Sequence, residues 1–287
     1  MESNPYVNPE LLQEAKKLDA LEAGEIDITN LPIEIDVPDM QSISNDEYIV
    51  YRRRGLGTSD SSIVLGVNPY KTREQLITEK LSTTISDEER AIGKKSSVMK
   101  GKDLEPLIIK KWSIAANKTI IKPTAQYVHK NFPFLKFNFD GVSYDEVARQ
   151  YIPDEIKYVT YKGERHYNPS KEIFNEDDGF FPLPPDYSNT NNSIQTKAAL
   201  YGMPPYYYTQ LQQQIMGLDA PYGYLSVMFE STWRVHTFFA WRDENVIRQL
   251  VLQGAEVWNE ILRRGGPPEI QLGVSNDKQK TDNKNAW

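Results

Sequence analysis

The last third of the chain constrains the fold most. "YGYLSVMFE" and "RVHTFFAWR" are two apolar runs rich in aromatic and β-branched residues, separated by Ser-Thr-Trp. Such runs read as strands. From Asp243 to Leu262 the apolar period changes from two to 3.6, and Val246, Ile247, Leu250, Val251, Val257, Trp258 and Ile261 make one stripe. Strands that hand over to an amphipathic helix must seat that stripe on a sheet. Upstream, helical and extended segments interleave. Helices are expected from Ser59 to about Leu65, over Glu74–Leu81, from about Ser97 to Asn117 with Pro106 inside, and from about Pro205 to Leu218. "TIIKPTAQYVH", "FLKFNFDGVSYD" and "SIQTK" read as strands. This order predicts an α/β fold, a central mixed β-sheet flanked by helices on both faces.

The chain has 287 residues, 39% of them hydrophobic, which suits one large core. Residues 1–47 carry twelve acidic and two basic side chains. They read as a helix, "NPELLQEAKKLDALEAG", and an extended edge-like stretch, "IDITNLPIEIDVPDM". We expect an acidic N-terminal arm lying on the domain or on a neighbouring subunit, where it either mimics nucleic acid over the basic face or serves simply as a subunit contact. Residues 48–274 form the main domain. Within it, 145–193 are an irregular insertion that holds a hairpin, "YIPDEIKYVTYKGERHY", and a Pro-, Asn- and Asp-rich run. Residues 275–287 make a polar tail with too little apolar surface to fold. No cysteine is present, which excludes a disulfide scaffold and a thiolate metal site and suits the cytoplasm. No secretory apolar region or membrane-length apolar run occurs.

Three segments carry candidate chemistry. "RRRGLGTSDSSIVLGVNPYKT" joins Arg52, Arg53 and Arg54 to a Thr/Ser/Asp helix start. Free helix N-terminal amides, the Ser59 hydroxyl, and Arg52 and Arg54 would together favour an anion. No Walker sequence accompanies it, which argues against a nucleoside triphosphate. Glu105 in "GKDLEPLIIKKW" and Asp140 in "FLKFNFDG" are acids on apolar elements, the donor type that magnesium takes. In "SIQTK", strand alternation places Gln195 and Lys197 on one face. Lys197 would orient a water or stabilise developing charge. On the following helix Tyr208, Leu211, Gln212 and Ile215 share a face, so Gln212 is a polar group where burial is expected. His129, His166 and His236 are scattered and read as surface or strand residues rather than ligands.

These motifs, with "YYYTQLQQQIMGL", occur in the order that resembles the YqaJ-like viral recombinases, the lambda-exonuclease type of the PD-(D/E)xK nuclease superfamily. The resemblance covers roughly residues 48–262 and implies a restriction-endonuclease-like core. It implies magnesium-dependent 5′-to-3′ digestion of one strand of linear duplex DNA, leaving 3′ tails for phage-type recombination. Two magnesium ions are expected, with manganese able to substitute. A ring-shaped homotrimer, a single-strand annealing protein as partner and a host-cell cytoplasmic setting are further implications. Carried over by position, Glu105 and Asp140 match metal-binding acids and Lys197 the catalytic lysine. Arg52 and Ser59 match residues holding the 5′-phosphate, Gln212 matches an active-site glutamine, and Arg54 and Tyr208 join as expected DNA contacts. The family usually has Glu where Gln195 stands, so Gln195-Thr196-Lys197 would offer metal a weaker set, Gln195 and Thr196 included. "DEIK" supplies a second version, with Glu155 and Lys157 following Asp140. The short path from Lys197 to the glutamine helix favours Gln195/Lys197. Two other readings stay open: a weakened DNA-end-binding protein and an endonuclease of the same superfamily.

Overall fold

A computed structural model describes residues 9–92 and 96–269. The polar tail expected from residue 275 lies outside the described residues, as does the proposed Asn8 cap. Among the described residues there are ten strands: β1 (Ile33–Val37), β2 (Ile120–Ile121), β3 (Gln126–His129), β4 (Lys136–Phe137), β5 (Gly141–Asp145), β6 (Gln150–Val159), β7 (Phe174–Asn175), β8 (Gly179–Phe180), β9 (Tyr222–Phe229) and β10 (Val235–Trp241). The α-helices are α1 (Pro9–Glu22), α2 (Asn45–Arg53), α3 (Ser61–Val64), α4 (Arg73–Leu81), α5 (Asp87–Ile92), α6 (Ser96–Ala116), α7 (Tyr161–Glu164), α8 (Ile194–Leu200), α9 (Pro205–Gly217) and α10 (Glu244–Arg263).

Seven strands form the main sheet in the order β2-β5-β6-β9-β10-β7-β8. It is mixed: β6 runs antiparallel to β5 and parallel to β9, while β9 and β10 are antiparallel. Helix α6 covers one face, where Ile108 and Trp112 pack on Ile156, Met228 and Phe239. Helices α9, α3 and α10 build the larger core on the other face, around Leu211, Ile215, Leu225 and Leu250. The expected α/β architecture with helices on both faces is what the chain adopts. A smaller sheet, β1-β3-β4, takes the rest.

Local chemistry explains the helix ends. Ser44 and Glu47 close a capping box on α2, as Thr72 and Gln75 do on α4. Asp243 caps α10 through the Asn245 and Val246 amides. Pro106 lies inside α6, where it can offer no amide to the preceding turn. Several expected strands divide. "TIIKPTAQYVH" splits into β2 and β3, and "FLKFNFDGVSYD" into β4 and β5, each pair shared between the two sheets. Asp140 therefore sits at a break between strands. The acidic front segment is part of the domain: Leu21, Ile26, Leu31 and Ile33 belong to the core, and β1 pairs with β3.

Asp145 closes β5 and ties three elements together. Its carboxylate accepts from the Val147 and Ala148 amides at 2.9 and 2.8 Å, from Lys118 Nζ at 3.2 Å and from the Tyr222 hydroxyl. Burial alone would push this carboxyl up, but the donors from Tyr222, Ala148 and Lys118 outweigh it and hold it at about 2. An unfolded aspartate titrates near about 3.9, so the stabilisation is complete above that pH and vanishes as pH falls through the folded value. Asp145→Asn should cost about 1–2 kcal/mol near neutral pH, after allowance for solvent screening, with the gap to wild type closing toward pH ~2. Urea midpoints across this range read it directly.

Candidate active site

The centre is built on β6. Strand alternation sends Ile156 to the α6 side, where it joins Trp112, and Glu155 and Lys157 to the α9 side. Lys157 Nζ lies 2.7 Å from Asp140 Oδ2 and 2.9 Å from the Ile156 carbonyl oxygen, and it also pairs with Glu155 Oε1. The Asp140 break between β4 and β5 is what frees its carboxylate to meet β6, and the Ile156 amide approaches the same oxygen at 3.4 Å.

Glu155 is fully buried, and α9 pins both its oxygens. Gln210 Nε2 donates to Oε1 at 2.5 Å and Gln214 Nε2 to Oε2 at 2.6 Å. The two glutamines are one helical turn apart, so they present a fork to the carboxylate. The Tyr207 ring lies 5.8 Å from Lys157 Nζ. Burial and the neighbouring Asp140 push the Glu155 carboxyl up, against the pull of Lys157. Lys157 would be pushed down by burial, but Asp140 and Glu155 outweigh this and keep it protonated. Behind Glu155, burial drives the Asp154 carboxyl well above the usual range, and Ser226 Oγ donates to it at 3.1 Å.

Glu105 on α6 completes the acidic set. Burial and the charge on Asp140 raise its carboxyl, while Lys122 pairs with it and Lys157 acts in the same sense. The donor set suits a hard divalent cation. Asp140, Glu155 and the Ile156 carbonyl already turn oxygens toward one positive group, the Lys157 ammonium. Among the described residues no three acidic or histidine side chains converge on one point, so Glu105 stands back from the pair.

A cleft opens beside Asp140 and Gln210, walled by Tyr48, Arg52, Ser59, Gln126 and Lys136. Arg52 Nη2 donates to Ser59 Oγ at 3.2 Å. Behind them Asp60, nearly buried, takes Lys80 Nζ at 2.7 Å and the Gly57 amide at 3.0 Å, and lies 3.7 Å from Arg52. Arg52 and Arg53 form the last turn of α2 and Arg54 its C-cap, where cations suit the helix dipole. Gly57, whose amide Asp60 takes, is the N-cap residue of the turn that carries Ser59. Arg53 is buried against the Ser82 and Thr84 carbonyls and Glu89. Arg54 is exposed, with its guanidinium 5.1 Å from the Tyr51 ring, and does not line the cleft.

The Gln195-Thr196-Lys197 expectation fails on geometry. "SIQTK" is not a strand. Ser193 caps α8 through the Thr196 amide, and Gln195 and Thr196 face solvent. Lys197 is buried and bonded to Asp243 Oδ2 at 2.6 Å and the Ser188 carbonyl at 2.8 Å. Tyr208 donates to the same Asp243 oxygen at 2.9 Å, and Gln212 bridges the Asp243 amide and the Trp241 carbonyl. These four groups form a structural hub that holds α8, α9 and the start of α10, and none of them touches Asp140 or Glu155. Glu155 and Lys157, the second version of the motif, are the residues brought to Asp140. Sequence reasoning missed Gln210 and Gln214. Both lie in the quoted glutamine helix, but α9 is buried on nearly every side and its apolar face does not single out one glutamine.

Fold and cleft together define a mixed-sheet α/β protein with a half-buried carboxylate–lysine centre beside an arginine–serine wall. Residues 47–217 match the YqaJ-like viral recombinase domain, and the chain belongs to that family. It is 30% identical over 106 residues to the uncharacterized protein YqaJ of Bacillus subtilis strain 168, a match covering 37% of this chain and 32% of that relative's length. Among solved structures it is similar to LHK-Exo, an alkaline exonuclease from Laribacter hongkongensis. That likeness has 14% identity and a TM-score of 0.49, covering 76% of this chain and 93% of the other. A phage-related exonuclease from Haemophilus somnus 129PT aligns at 12% identity and a TM-score of 0.41, over 73% and 96% of the two chains.

Proposed function

We propose that the chain is a divalent-metal-dependent DNA exonuclease that starts at a 5′ end and leaves a 3′ single-stranded tail. The observation that carries this reading is the convergence of Asp140, Glu155 and Lys157 beside the cleft that holds Arg52 and Ser59. Asp140, Glu155 and the Ile156 carbonyl would hold magnesium, with Glu105 in support. Bound there, the cation would supply Lewis-acid stabilisation of charge on the scissile phosphate. Lys157, kept protonated by two carboxylates, orients the attacking water and steadies the developing charge. Gln210 and Gln214 fix Glu155 so that it needs no reorganisation. Arg52, braced by Asp60 and Ser59, grips a terminal phosphate and sets polarity. The weakened end-binder rests on a glutamine in the motif, and a centre built on Glu155 favours the enzyme over it.

Linear 5′-phosphorylated duplex, incubated with the chain and magnesium, should release mononucleotides from the 5′ strand. Closed circular DNA should survive, and chelation should stop the reaction. Cleavage of the circle would make the protein an endonuclease. No release from either substrate would return the end-binding reading.

A further inference from the structure

The cleft has a wall that the chemistry above does not use. Lys136 on β4 is 8% exposed, and it lines the cleft with Arg52, Ser59 and Asp140. Its stem lies flat on Gly55, where a Cβ would come within 2.5 Å of Lys136 Cγ. Any side chain at position 55 would displace it. Gln126, 1% exposed, lines the same cleft.

The Lys136 ammonium pairs with Asp36 of β1, with Oδ2 at 2.9 Å. Asp36 is placed there by a register break. Ile35 faces Tyr127 and Val37 faces Gln126, so Asp36 is the extra residue of a bulge. Bulges re-aim side chains in this way. The two partners differ in freedom: the Lys136 side chain is 11% exposed and Asp36 27%. The lysine is a fixed charge, and the aspartate can turn out to water.

We propose that Lys136 is a further phosphate-binding group of the cleft, and that Asp36 occupies it until a DNA phosphate takes its place. This rests on the nuclease reading for the identity of the ligand. The exchange trades one oxyanion for another, so the lysine is never left buried and unpaired. The acidic front segment thereby contributes a built-in competitor for substrate.

The test is equilibrium binding of the full chain to short duplexes bearing a 5′-phosphate or a 5′-hydroxyl, without divalent metal. Asp36→Asn should tighten binding about three- to tenfold, the scale of one partly exposed ion pair. Glu34→Gln, which removes the same charge from the same strand, should leave affinity unchanged. Lys136→Met should weaken binding about tenfold and lower the salt slope by about one, and Lys136→Arg should restore it. The double variant Asp36→Asn/Lys136→Met should match Lys136→Met alone. Tightening confined to the phosphorylated duplex assigns the terminal phosphate; tightening on both assigns a backbone phosphate; either supports the proposal. Wild-type binding that does not respond to Asp36→Asn, or responds equally to Glu34→Gln, overturns it. A wild-type chain that binds neither duplex sinks the nuclease reading as well.

Discussion

Lys157→Met should lower strand digestion by about 10²–10³-fold, the loss expected when a preorganised charge at a reacting centre is removed, while duplex-end binding stays in place. The residue is partly open to solvent, with its side chain 24% exposed, so its removal leaves no cavity in the core. Asp140 and Glu155 lose their shared counter-charge, and Glu155 relaxes by taking up a proton. Lys197→Met should behave in the opposite way. It acts on stability, and any loss of digestion should follow the unfolded fraction. Measuring thermal midpoints beside nucleotide release separates the two. A Lys197→Met protein that stays folded yet cannot digest, beside an active Lys157→Met protein, would reverse the assignment made here.

The second large effect falls on Asp243. This fully buried carboxylate takes Lys197 and Tyr208 on one oxygen and two α10 amides on the other. Asp243→Ala strands the Lys197 charge in the core and uncaps a twenty-residue helix. Breaking a buried pair costs about 3–5 kcal/mol and losing a cap about 1 kcal/mol more. Domain stabilities run to about 5–15 kcal/mol, so the urea midpoint should drop sharply. Adding Lys197→Met to Asp243→Ala should recover part of the loss, because the stranded charge goes with it. A midpoint within error of wild type would mean that the hub does not hold the helices.

Much of this was legible in the residues. The C-terminal strands and α10 follow from apolar period, because long periodic segments are read reliably. Asp140 and Glu105 stand out as acids embedded in apolar runs. The choice between two motifs was harder. "SIQTK" spans too few residues for alternation to mean anything, and Ser193 with the Ala198-Ala199-Leu200 run makes a capped helix. "YIPDEIKYVTYKGERHY" reads as a hairpin in an irregular insertion, but its first part is the central strand β6, with Pro153 inside it. The structure accommodates it because the parallel ladder to β9 begins one residue later, at Asp154. The Asp36 bulge and the Gly55 bed for Lys136 depend on register and close approach, and neither leaves a mark on composition.

The parallel pairing of β6 with β9 has a temporal consequence. The carboxylate of Glu155 precedes its glutamine fork by more than fifty positions, and its strand neighbour ends only at Phe229. Loops of that span close late, after local hairpins and helices have formed. An emerging chain therefore carries an unfinished groove until most of it has left the ribosome. A product cut short before that point would be unable to assemble the centre that attacks DNA.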